Sequence, residues 1–85
     1  MNTRIISSYV HHEDQCFFVS TINCGSAKEL YGHRYNETIV WNYNYNTKEC
    51  GDMIHQDKAP TNSIKTHNEI CELLFKSGVN ALKHI

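Results

Sequence analysis

Residues 36–45 read NETIVWNYNY, and no other stretch narrows the fold of this chain as much. Glu37, Ile39, Trp41, Tyr43 and Tyr45 fall on one side of an extended chain, and Thr38, Val40, Asn42 and Asn44 on the other. Period-2 alternation among β-branched and aromatic residues marks a strand with one face buried. The segment holds the single tryptophan and two of the five tyrosines. It is therefore expected in the middle of a sheet, with Trp41 close under a covering helix.

The flanking segments supply that sheet and that helix. RIISSYV (4–10) alternates Ile6 and Val10 against Ile5 and Tyr9 and predicts a first strand. HHEDQ (11–15) is a polar break of hairpin length, and CFFVSTIN (16–23) predicts a second strand, apolar on both faces. Periodicity is lost over 24–34, bracketed by Gly25 and Gly32, which reads as a loop with one short helical turn. ECGDMIHQ (49–56) predicts a short fourth strand, followed by a loop over 58–62 that contains the only proline.

A helix begins near Ser63, with Asn62 or Ser63 as its cap. Ile64, His67, Cys71 and Leu74 recur at spacings of three and four, and Ile70 and Leu73 widen the stripe. Residues 64–74 are the part expected to lie over Trp41. Gly78 suits the left-handed position just past a helix end. The expected architecture is α+β: an antiparallel sheet of three to four strands with one C-terminal helix packed on one face, residues 1–85 forming a single domain.

Charge excludes some functions. Eight basic and nine acidic residues give a net charge of −1, and both signs are scattered. A nucleic-acid binder concentrates positive charge to neutralise phosphates, so DNA and RNA are disfavoured as ligands. A dense negative surface that mimics DNA is equally disfavoured. The sequence shows neither an N-terminal apolar signal region nor a run of about 18 apolar residues. The expected setting is the cytoplasm, away from membrane, with the four cysteines as reduced thiols.

Two short motifs carry a resemblance. Val19-Ser20-Thr21-Ile22-Asn23-Cys24-Gly25 and Glu37-Thr38-Ile39-Val40-Trp41, with His67 on the terminal helix, follow a V-S-T, E-T-M-V-F and helix-histidine pattern. In this, residues 16–75 resemble a group of small, uncharacterised proteins of tailed bacteriophages and their bacterial hosts. Thr66 stands where that group carries glycine. The resemblance implies a phage-type accessory protein in the host cytoplasm and assigns no reaction.

Three constellations are candidates for function. The first is a metal set, Cys50, His55, His67 and Cys71, whose donor types suit tetrahedral zinc, although the order is unusual and no Cys-x2-Cys knuckle is present. His11, His12, Asp14 and Cys16 form a second grouping in the predicted turn. The competing structural account makes Cys71 a small core residue and His67 a buried histidine bonded to a neighbour. The second constellation is Glu37 with His67, the raw material of acid–base catalysis, with Ser20 or Thr21 nearby. No nucleophile or phosphate loop accompanies it, so the balance is against an enzyme.

The third is the aromatic strand. Trp41, Tyr43 and Tyr45 suit a binding surface or a homodimer contact, because such rings bury much area and keep a polar handle. Otherwise Trp41 and Tyr43 roof the core. The leading expectation is a protein that binds and inhibits or redirects a host protein, such as a defence component. The alternative is a homo-oligomer that holds a nucleotide signal between subunits with Tyr31, His33, Arg34 and Trp41. A zinc-stabilised fold and a minor enzyme using Glu37 and His67 complete the set, and no other cofactor is expected.

Overall fold

The computed structural model describes residues 3–23, 29–30, 33–34, 36–59 and 63–84. Strands β1 (Thr3–His12) and β2 (Gln15–Asn23) form a hairpin through Glu13 and Asp14. Glu13 has φ 55°, a positive value at the first turn position only, as in a type II′ turn. Two short strands follow, β3 (Glu29–Leu30) and β4 (His33–Arg34), paired antiparallel. They stand where a helical turn was expected, and residues 24–28 lie outside the described residues.

Strand β5 (Asn36–Asn44) pairs with β2 and with β6 (Glu49–Ala59), giving one four-stranded antiparallel sheet in the order β1-β2-β5-β6. β6 runs through Lys58 and Ala59, further than its sequence pattern suggests. Between β5 and β6, the Asn44 side-chain oxygen accepts the amides of Asn46 and Thr47 at 3.0 and 3.1 Å, and Lys48 N–H donates to Asn44 O at 2.7 Å. An asparagine that folds the chain back on itself is a common turn device.

Helix α1 (Ser63–Ser77) packs on one face of the sheet, over β1, β2 and β5, and a 3-10 helix (Gly78–His84) follows. This is the expected α+β arrangement. Of the two cap candidates, Asn62 lies outside the described residues and Ser63 is the first residue of the helix. The core beneath the helix is Val10, Phe17, Val19, Val40, Ile70 and Leu74, all buried. On α1 the buried positions are His67, Ile70 and Leu74; Ile64 and Leu73, part of the predicted stripe, face solvent.

A further expectation is overturned. The helix does not cover Trp41. Thr38 and Val40 face the helix, so alternation sends Glu37, Ile39, Trp41 and Tyr43 to the opposite face. The reason is size. Val19, Thr21, Thr38 and Val40 are short and β-branched, and a helix packs closely over them. Indole and phenol rings on that side would hold it away.

Candidate functional site

Two sites emerge, one on each face of the sheet. The first lies under α1. His67 is completely buried, at 0 % exposure. Its Nδ1 is 2.9 Å from Thr21 Oγ1, its Nε2 is 2.8 Å from Ser8 Oγ, and Thr21 Oγ1 is 2.6 Å from Thr38 Oγ1. The Ser8 hydroxyl also lies close enough to the Cys71 thiol to favour its ionisation. One direction of donation satisfies the histidine: Thr38 to Thr21, Thr21 to Nδ1, and Nε2–H to Ser8. Every member of a buried polar row needs such a partner, because an unmade bond costs about 1–3 kcal/mol.

Strand register builds this row. Ser8 lies opposite Val19 on β1–β2, and Thr21 lies opposite Thr38 on β2–β5. All three hydroxyls point to the helix side, where His67 reaches down between them.

Burial lowers the pKa of His67, because a charged imidazole would lose its water. Burial pushes the Cys71 thiol up, and the nearby Ser8 hydroxyl partly offsets this. The sign for stability follows from His67. The unfolded chain titrates near the usual value of about 6.5 and takes up a proton that the folded chain resists. The contribution of His67 to stability should therefore be level above about pH 7.5 and fall between about pH 6.5 and the lowered folded value, by at most about 1.4 kcal/mol per pH unit. Urea midpoints across pH 5–8 measure this. A His67→Leu variant should lose the slope, and a slope unchanged in that variant would refute the assignment.

The structure does not bring Glu37 and His67 together. Glu37 accepts a hydrogen bond from Gln56 Nε2 at 2.6 Å on the face away from the helix. The acid–base pair is not formed because adjacent strand positions point to opposite faces. Ser8–His67–Thr21 does have the connectivity of nucleophile, base and orienting group. A fully enclosed imidazole, however, offers no space for a leaving group to collect a proton.

The metal set Cys50, His55, His67 and Cys71 is not assembled either. Cys50 lies opposite Tyr43 on the face away from the helix, whereas His55 lies opposite Val40 on the helix side. Both nitrogens of His67 are occupied. His55 Nε2 is buried without a hydrogen-bond partner. Among the described residues, no group of three or more His, Cys, Asp or Glu side chains is placed to hold one ion.

The second site is on the opposite face. Tyr9, Phe18, Trp41 and Met53 form a row across the four strands, since Tyr9 pairs with Phe18, Phe18 with Trp41 and Trp41 with Met53. The next row, one step toward the Glu13–Asp14 turn, is His11, Cys16, Tyr43 and Cys50. Ring centroids lie 5.1 Å apart for Tyr9–Phe18, 4.8 Å for Tyr9–Tyr43 and 5.9 Å for Phe18–Trp41. Tyr45 meets His11 edge-on at 5.6 Å.

Tyr9, Met53 and Tyr45 are 57, 53 and 65 % exposed. Ser20, further from the turn on this face, is buried, so the exposed part is the turn end. Desolvation, with Tyr9 and the thiols of Cys50 and Cys16 nearby, raises the Tyr43 pKa, and burial raises that of Cys16. Of the nucleotide-pocket residues, Trp41 is in this cluster and Tyr31 lies outside the described residues. His33 and Arg34 are placed by backbone only, in β4.

Alternation announces the aromatic cluster, apart from Tyr9 and Met53, which need the strand order. Ser8 and Thr38 had a fainter signal: each is a small hydroxyl on the side of a strand that turns out to face the helix. The chain matches no protein-family profile, no curated protein and no solved structure. Among the described residues, no helix is long and apolar enough to cross a membrane. The fold and sites define a small α+β domain with a histidine-pinned helix on one face and an aromatic cluster on the other.

Proposed function

We propose that this chain is a non-catalytic binding protein that docks a partner protein on the turn end of its aromatic sheet face. The observation that carries this reading is the exposure of Tyr9, Tyr45 and Met53 around the half-buried Trp41 and Tyr43. Tyrosine and tryptophan dominate interface energetics, and a folded chain gains nothing by leaving them in water.

Magnitude sets the kind of interface. Two rows across four strands cover about 14 by 19 Å, about 260 Å². That approaches the roughly 300–600 Å² of the largest apolar patch on a typical monomer, which is often functional. It is far below the roughly 800 Å² per partner of a standard interface. The contact is therefore either short-lived or extended by polar residues around the rim. Given the resemblance to phage accessory proteins, the partner is a bacterial host protein, such as a defence component, that is inhibited or redirected.

Affinity capture from host lysate tests this, with Tyr9→Ala and Tyr45→Ala alongside the parent. The parent should retain one stoichiometric partner, and each variant should bind it at least tenfold more weakly while keeping its thermal midpoint. No stoichiometric partner, or equal retention by both variants, would overturn the reading.

A further inference from the structure

At the edge of the aromatic cluster, His11 and Cys16 face each other across the β1–β2 hairpin as register partners. His11 Nε2 and Cys16 Sγ are 3.7 Å apart. A tetrahedral zinc ion takes nitrogen at about 2.0–2.1 Å and thiolate sulfur at about 2.3 Å, and ligands at a tetrahedral angle are then about 3.6 Å apart. A hydrogen bond between thiol and imidazole holds the pair at that spacing, and the ion would take the place of its proton. We propose that His11 and Cys16 form a two-point chelate for a borderline-soft divalent cation, zinc(II) being the ion that fits.

The hairpin pre-organises the site. A two-residue turn holds the two strands in one register, so neither side chain must travel to meet the ion. His11 is exposed and Cys16 half-buried, so an ion can reach both. They line an open cleft with Glu13, Asp14, Tyr43 and Tyr45. No third protein ligand completes a set among the described residues. The other two places of a tetrahedral ion fall to water or to donors on an incoming molecule, so the pair by itself is a weaker site than the three-ligand zinc centres of enzymes. Binding replaces the thiol proton with the metal: the S–H bond breaks, an S–Zn bond forms, one proton passes to solvent, and no electrons are transferred.

Cys50, the other thiol of this row, does not share the ion. β5 lies between β2 and β6, and two strand spacings put the Cα atoms of Cys16 and Cys50 about 9.6 Å apart. Both thiols are free. The proposal does not depend on the docking reading and is tested on the purified chain alone.

Cobalt(II) titration of the reduced full-length chain, followed by competition with zinc(II), is the experiment. The parent should show a near-ultraviolet thiolate-to-cobalt charge-transfer band that zinc removes. Cys16→Ser should abolish the band, His11→Ala should weaken binding at least tenfold, and Cys50→Ser should leave both unchanged. All three positions are at least partly exposed, so metal-free thermal midpoints should stay near that of the parent. A parent without the band, a band that survives Cys16→Ser, affinity unchanged in His11→Ala, or a band lost with Cys50→Ser would each overturn the proposal.

Discussion

His67→Ala is expected to destabilise the chain by about 3–5 kcal/mol, enough to leave much of it unfolded at 37 °C. The truncation opens a cavity in a close-packed layer, where large-to-small changes cost about 2–5 kcal/mol. It also removes the partner of Thr21 and Ser8, and each orphaned buried group adds up to about 1–3 kcal/mol. Thr21 keeps Thr38, so the full sum is not reached. A chain of 85 residues has about 4–13 kcal/mol of stability in all. The urea midpoint should drop sharply with the slope unchanged.

Thr21→Val, which keeps the shape and deletes the hydroxyl, should lose less, about 1–3 kcal/mol. The two changes should be strongly non-additive, because they break the same row. A His67→Ala chain within about 1 kcal/mol of the parent would mean that Ile70 and Leu74 hold the helix without help. That test bears on function as well. Loss of partner binding in His67→Ala with loss of fold would mark the histidine as structural, whereas Tyr9→Ala and Cys16→Ser probe their sites in a chain that stays folded.

Much of the architecture was legible because it follows from periodicity. Alternation in 16–23 and 36–45 and the three-and-four spacing after Ser63 are local properties, and the sheet and helix follow from them. The side of β5 that takes the helix was not legible. Alternation says that Trp41 and Tyr43 share a face, and that Thr38 and Val40 share the other; it does not say which face is covered. The deciding quantity is how closely the helix can approach, and that depends on Val19 and Thr21 of a neighbouring strand.

The same limit hid the histidine row. A buried histidine bonded to a neighbour was among the expectations, but its partners required the register of two strand pairs. A signal existed nonetheless. Thr21 falls on the same side of its strand as Phe17 and Val19, and His67 falls on an otherwise apolar stripe. Two lone polar groups on apolar faces satisfy each other more cheaply than either does alone. The His11–Cys16 spacing was less accessible still, since it needs the two-residue turn that makes them partners. Glu37 and His67 failed to meet for the simplest reason: residues 37 and 38 point opposite ways.

Gly78→Ala is the second large expected loss, about 2–4 kcal/mol, or about ten degrees or more in thermal midpoint for a chain of this size. Two costs combine. Gly78 has φ +62°, where a side chain costs about 1–2 kcal/mol. An added Cβ would also run into the Gln15 side-chain oxygen and lie 2.6 Å from His12 Cδ2. Those two residues tie the hairpin to the helix end: His12 Nδ1–H donates to Phe75 O at 2.9 Å, and Gln15 Oε1 accepts from Val79 N–H at 3.0 Å. Pushing them away would release the end of α1 and the 3-10 helix whose Ala81 and Leu82 close the core. Gly51→Ala is the matched control, because its Cβ would meet only ordinary contacts at 3.5 and 3.7 Å on Asn42 and its φ is not positive. Thermal melts of the two variants should separate clearly. If they fall together, the junction of hairpin and helix end is not where the close fit matters.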